Sequence, residues 1–280
     1  MIINPINILK IENKELTETL LTPDEPAPFE ILNADALLPV LLVCDHASNR
    51  FPRSLGTMGL DYLNRVSHIA LDIGASAVAK ALAENLGATA VICQYSRLIV
   101  DCNRELVDDS AFLECSDSVD VPGNHDLQES EKERRASEIY WPYHNAIKGQ
   151  IVRLKKHGID PVVISIHSFT PVINGNDREW EIGVLWDKDS VTAEIFITRL
   201  VESGYLVGDN KPYSGKDAED FTIDFHAESD GLPHVGIEIS QNLISHDDGV
   251  KSVSDILKEI ISIYTITSKP KNIETLKSLR

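Results

Sequence analysis

With 280 residues, 42% hydrophobic and 25% charged, the chain has the ordinary composition of a globular protein and enough length for a sizeable core. A formal net charge of -18 excludes binding that relies on Lys and Arg to neutralise phosphates, so neither nucleic acid nor an anionic membrane surface is an expected partner. A small anionic substrate stays compatible with it, provided the site itself is basic. No run of about 18 apolar residues occurs, so no transmembrane helix is expected. The start, Met1 to Lys10, lacks the basic stretch and apolar run of a signal peptide. The four cysteines, Cys44, Cys93, Cys102 and Cys115, form no CxxC pair; they are expected to be reduced thiols in a cytoplasmic protein.

Residues 1–38 read as an irregular lead-in, punctuated by Pro23, Pro26 and Pro28. Pro39 to Cys44 is a continuous apolar run, the pattern of a strand buried on both faces. Apolar residues recur at helical spacing from Asp72 to Leu86, and Gly87 supplies a stop. Ala88–Cys93 and Arg97–Asp101 read as two further strands. An acidic, turn-rich stretch from Glu105 to Asp126 follows as a long loop, of the kind that often serves as a lid or mobile segment. A long helical pattern runs from Leu127 to His157, where Pro142 should kink the helix or begin a new one. Strands are then expected over Pro161–His167, Glu179–Trp186 and His234–Ser240, with a helix over Val191–Ser203 and a closing helix from Val250 to Tyr264. Residues 269–280 are polar and should fray. Strands alternating with helices predict an α/β protein with a mixed, largely parallel central sheet covered on both faces, built as one domain over 39–268.

On open α/β sheets, reactive groups gather at the carboxyl ends of strands. Those positions here hold Asp45-His46, Asp101 with Asn103-Arg104, His167-Ser168, and Glu238. Two histidines, a carboxylate and an open position make up the common ligand set of a catalytic zinc ion. His46 and His167 supply the pair. For the third ligand, Asp72 is the leading candidate, although an aspartate there would also serve as a helix N-cap. Asn49 stands three residues after His46 but is a weak donor, and His68 is a reserve. Glu238 lies within the apolar run Val235-Gly-Ile-Glu-Ile239; burial would raise its pKa and suit it to act as a general base. Arg97 and Arg104 offer planar forks that match carboxylates, or could form ion pairs with Asp101 or Glu105. Cys44 beside Asp45-His46 admits a thiol-nucleophile reading, but it ends an apolar strand, where a free cysteine is usually buried.

At these residues the sequence resembles the N-formylglutamate amidohydrolase family. The matching stretches are Val43-Cys-Asp-His-Ala-Ser-Asn-Arg-Phe-Pro52, Leu71-Asp-Ile-Gly-Ala75, Ser96-Arg-Leu-Ile-Val-Asp-Cys-Asn-Arg104, Tyr140-Trp-Pro-Tyr-His144, Ile166-His-Ser-Phe169 and Gly236-Ile-Glu-Ile239, in the family's order. The resemblance implies a three-layer α/β/α sandwich of the zinc carboxypeptidase-like kind. It implies His46 and His167 as zinc ligands and Glu238 as the base that activates water, while the third ligand stays open among Asp72, Asn49 and His68. It also implies that Asn103 and Arg104 hold a substrate carboxylate, that Arg97 assists at the scissile carbonyl, and that His144 belongs to the substrate-binding region. The expected reaction is cleavage of N-formyl-L-glutamate, or of a related N-acyl amino acid, to formate and glutamate. The alternatives are a hydrolase of another N-acyl amino acid or of a peptide C-terminus, and a non-catalytic metal-binding protein of the same fold. Two departures stand out. Asp45-His-Ala-Ser48 replaces the Pro-His-Ser-Gly of characterised members, and the glutamate of an HxxE motif is absent.

Overall fold

The computed structural model describes residues 19–173, 175–216 and 220–267, so the polar tail expected over 269–280 and the first half of the lead-in lie outside the described residues. In chain order the strands are Phe29–Leu32 (β1), Val40–Cys44 (β2), Thr89–Cys93 (β3), Cys115–Ser116 (β4), Val119–Asp120 (β5), Val162–Phe169 (β6), Val172–Ile173 (β7), Asn176–Asp177 (β8), Ile182–Leu185 (β9), Val207–Asp209 (β10) and His234–Ser240 (β11). The helices are Tyr62–Arg65 (α1), Ala75–Leu86 (α2), Glu129–Arg135 (α3), Trp141–Lys156 (α4), Ser190–Glu202 (α5), Phe221–Ile223 (α6), Gln241–Ile244 (α7) and Asp247–Thr267 (α8). No described helix is long and apolar enough to cross a membrane.

Seven strands form one mixed sheet in the order β1-β3-β2-β6-β11-β9-β10. The four central strands run parallel, β9 and β10 run antiparallel to β11, and β1 closes the opposite edge antiparallel to β3. β1 thus corrects the irregular lead-in: Phe-Glu-Ile-Leu is too short a pattern to stand out, and pairing with β3 supplies the order that local sequence does not. Every residue of β2, β6 and β11 is buried, yet each strand still sorts its side chains by face. Val40, Leu42, Cys44, Ile164, Ile166, Val235, Ile237 and Ile239 pack with α2, α5 and α8. Leu41, Val43 and Val163 face the other layer, where Tyr143, Ile147 and Ile151 of α4 cover them. Each buried aliphatic side chain contributes about 1.5–3 kcal/mol. On that second face, β6 and β11 then change character: Ser165, His167, Gly236 and Glu238 point where apolar residues would otherwise continue the core. The site occupies this break.

Several local expectations change. Arg97–Asp101 is a turn rather than a strand: Leu98 N–H bonds to Ser96 Oγ, Ile99 N–H bonds to Ser96 O, and Leu98, Ile99 and Val100 bury themselves without joining a ladder. Asp101, Asn103 and Arg104 therefore reach the site from a turn and not from a strand end. Asp72 is no N-cap, because α2 begins at Ala75 behind Gly74, whose φ of 83° places it in the left-handed region. A side chain at position 74 would also strike the Ile244 carbonyl. Between α3 and α4 the helix carries on through a π turn, Ala136–Tyr140, directly before Pro142. The wider turn absorbs the hydrogen bond that proline cannot make, so the axis continues.

The acidic stretch after Arg104 is more ordered than a plain loop. It contains 3-10 turns at Asp109–Phe112 and Pro122–Asn124 and the β4–β5 hairpin. Arg135 anchors it from α3. This arginine is 2% exposed and donates to Ile99 O, Asn124 Oδ1, Gly123 O and Glu131 Oε1.

Candidate active site

His46 follows β2, His167 lies in β6, and Asp72 sits in the turn that leads into α2, held to the first by an Asp72 N–H to His46 O bond of 2.9 Å. All three are buried, and one donor atom from each falls within a cluster 4.8 Å across. Asp72 Oδ2 is the meeting point, 2.8 Å from His167 Nδ1 and 3.4 Å from His46 Nδ1. Both imidazoles thus turn the same nitrogen inward, and a buried carboxylate backs each outer nitrogen. Asp101 Oδ1 lies 2.7 Å from His46 Nε2, and Asp45 Oδ2 lies 3.2 Å from His167 Nε2. The hydrogen-bonded His46–Asp101 pair is of the kind that fixes ring orientation and tautomer in metal sites, while Asp45 faces His167 at ion-pair distance. The donor chemistry fits a zinc-like cation: two imidazole nitrogens and a carboxylate face one point, with an outer partner for each ring.

The electrostatics agree with a site built around positive charge. Burial alone would raise Asp72, but His46 and His167 beside it outweigh that and hold its carboxyl far below the usual range. Burial is likewise overcome at Asp101, chiefly by Arg97 and His46. Burial disfavours charge on His167, yet Asp45 and Asp72 push its imidazole well up; His46 moves the same way against burial and Arg97, through Asp101 and Asp72. A bound cation would satisfy the same carboxylates in place of those protons.

Glu238 stands directly across the β6–β11 ladder from His167. Burial pushes its carboxyl up to about 7, with Asp72 and Asp220 adding to the rise, and its buried Oε2 has no hydrogen-bond partner among the described residues. Arg97 is fixed by Asp101, Nη2 donating to Oδ2 at 2.7 Å, and its other nitrogen lies 3.3 Å from His46 Nδ1 and 3.7 Å from Asp72 Oδ1. Arg97, Asn103, Arg104, Glu238, His46, Asp72 and His167 line one cavity. Asn103 has a second task there: its Oδ1 accepts from Thr222 N–H, while Thr222 Oγ1 donates to Asp45 Oδ1, so the turn at Asn103 and the start of α6 are tied to the residue that faces His167.

The structure does not bring every expected residue together. His144 is 1% exposed and does not line the cavity; it stacks on His226 with the two ring nitrogens 2.9 Å apart, beneath Tyr140 and Phe221. Its burial beside aromatic rings keeps it off the cavity wall, away from the expected substrate-binding position. His68 pairs with Asp117 near the surface, and Asn49 donates to Arg65 O, so neither joins His46, Asp72 and His167. Cys44 is fully buried in the opposite core, where burial pushes its thiol well up and leaves it a poor nucleophile. Residues missed from the sequence are Asp45 and Asp101 as histidine partners, and Tyr213, Ser214 and Asp220 on the cavity wall. The Asp45-His46 doublet was the available signal for the first. Tyr213, whose hydroxyl accepts from Arg178, sits on a segment that passes close over Gly183 and Gly208; a methyl group on either glycine would collide with the Lys211 carbonyl.

Comparisons with known proteins place this geometry in a family. The chain is 39% identical to a gene product of Agrobacterium tumefaciens of known crystal structure, over 89% of this chain and 98% of that one, with a TM-score of 0.86. An N-formylglutamate amidohydrolase from Ralstonia eutropha JMP134 shares the fold at 17% identity, with a TM-score of 0.66 over 86% of this chain and 98% of that one. A search of the curated proteins gave no match. The family model for N-formylglutamate amidohydrolase matches residues 38–245, a span that contains every residue lining the cavity, and the chain belongs to that family.

Proposed function

We propose that this amidohydrolase is zinc-dependent and cleaves N-formyl-L-glutamate, or a closely related N-acyl amino acid, to the free acid and the amino acid. Residues 39–268 would form its one catalytic unit, in a cytoplasmic enzyme whose four cysteines are free thiols. The observation that carries the reading is Glu238, whose buried Oε2 has no partner among the described residues, set opposite His167 of the three-donor cluster. His46, Asp72 and His167 would hold the metal. Once bound, zinc supplies Lewis acidity that polarises the acyl carbonyl and makes water acidic enough to ionise near neutral pH.

The chain's own groups account for the remainder. Glu238 takes a proton from the attacking water on a carboxylate oxygen and delivers it to the nitrogen that leaves. Arg97, immobilised by Asp101, offers a guanidinium to the charge that develops on the carbonyl oxygen. Arg104 receives the substrate carboxylate, and Asn103 fixes the wall on which Arg104 stands by bonding to Thr222.

Glu238→Gln tests the assignment. The variant should bind zinc as the parent does, while formate release from N-formyl-L-glutamate falls by about 10²–10⁴-fold. A loss smaller than about 100-fold, the low end of what a general base contributes, would end the role of Glu238. A panel of N-formyl, N-acetyl and longer N-acyl glutamates identifies the acyl group, and Arg104→Ala should raise KM for each of them.

A further inference from the structure

One wall of the cavity has no task in the chemistry above. Asp220 lines the cavity, is 6% exposed, and lies within reach of Arg104's charge. Its two oxygens have different surroundings. Oδ2 lies 3.1 Å from where a β-carbon would stand on Gly236, so the carboxylate packs tightly against the bare backbone there. Gly236 and Glu238 are on the same face of β11, which places Asp220 one pleat from the proposed base. Asn103 favours the charged carboxylate, while Oδ1 is buried and has no hydrogen-bond partner among the described residues. Burial and the nearby Asp45 push the Asp220 carboxyl above its ordinary range, against His167, Asn103 and Arg104. An N–H donor arriving at Oδ1 would relieve that cost, because buried acceptors are nearly always satisfied.

We propose that Asp220 is a specificity-determining residue whose Oδ1 accepts the N–H adjacent to the carboxylate in the amino-acid half of the substrate, while Arg104 holds that carboxylate. The inference rests on the N-acyl amino acid reading for its substrate class. In an α-amino acid the nitrogen and the carboxylate share one carbon, so neighbouring acceptor and cation on one wall match that unit. The same oxygen would hold the ammonium of the released amino acid. An ester, with oxygen in place of the N–H, offers Asp220 no donor, and a site built around such a bond rejects the analogue that lacks it.

The experiment compares the zinc-loaded parent with Asp220→Ser on N-formyl-L-glutamate and on the O-formyl ester of L-2-hydroxyglutarate. For the amide, the variant's kcat/KM should fall by at least about 30-fold, mainly through KM, while its value for the ester changes by less than about threefold. Equal losses on both compounds, or none on the amide, would overturn the proposal. A second measurement needs neither the variant nor turnover: calorimetry of the zinc-loaded parent with L-glutamate and with L-2-hydroxyglutarate. Glutamate should bind at least about tenfold tighter; equal affinity, or no binding of either, would overturn the role of Asp220. A parent that hydrolyses neither formyl compound yet prefers glutamate would refute the proposed reaction and support Asp220.

Discussion

Asp45 and Asp101 act on the outer nitrogens of His167 and His46, and so govern how firmly the inner nitrogens face Asp72. Replacing either with asparagine removes a charge while keeping the shape. Each change should weaken zinc affinity by about 10–100-fold, read by competition with a chelator. Asp101→Asn should also reduce kcat more than Asp45→Asn, because Asp101, unlike Asp45, also holds Arg97. Equal metal affinity in parent and variants would show that the rings need no such support. His46, His167 and Glu238 were legible as candidates because each is a polar residue at the end of, or within, an apolar run. Their partners were not, since His46 and Asp101 are 55 residues apart, and no local pattern announces a contact across that distance. Asp220 was hidden for the same reason: its significance depends on a glycine in a strand that follows it in the chain.

At the scale of elements, Arg135 determines whether the turn carrying Arg97 to Arg104 stays in place. Its guanidinium serves buried acceptors at Ile99 and Asn124 and the part-buried Gly123 carbonyl. Burial pulls its pKa down, while Glu131 offsets part of that cost. Arg135→Leu should therefore destabilise the fold by about 3–5 kcal/mol, visible as a lower urea midpoint. Near-parent stability would mean that the loop finds other donors. The major helices and the long strands followed from apolar periodicity, including β11 to the residue. Two short segments did not. β1 depends on its neighbour for order, and Arg97–Asp101 has the composition of a strand but is diverted by the Ser96 turn. Propensity describes a segment's environment as buried or exposed; it does not say whether a ladder partner is within reach.

For the whole molecule, the His144–His226 contact joins α4 to the 221–228 segment, whose Thr222 bonds to Asn103 and Asp45, and it constrains stability as pH falls. One ring must donate and the other accept, so the pair cannot hold two positive charges. Burial lowers His144 to about 4, and burial with the neighbouring His144 lowers His226 to about 3. Unfolded histidines bind protons below about 6.5, before these can, so stability is fully present above that pH and is lost as pH falls from there towards 4. The slope should approach about 1.4 kcal/mol per pH unit for each ring. Urea titrations from pH 7 to 4.5 should show that slope in the zinc-loaded parent and a flatter one in His144→Asn/His226→Phe. Identical slopes would assign acid sensitivity to other groups. The central sheet, meanwhile, separates two kinds of selection within single strands. A library randomised at Ile164, Ile166, Val235, Ile237 and Ile239 would be filtered by folding yield. The same effort at Ser165, His167, Gly236 and Glu238, one residue away along each strand, would be filtered by turnover. Adjacent codons should therefore drift at different rates and for unrelated reasons.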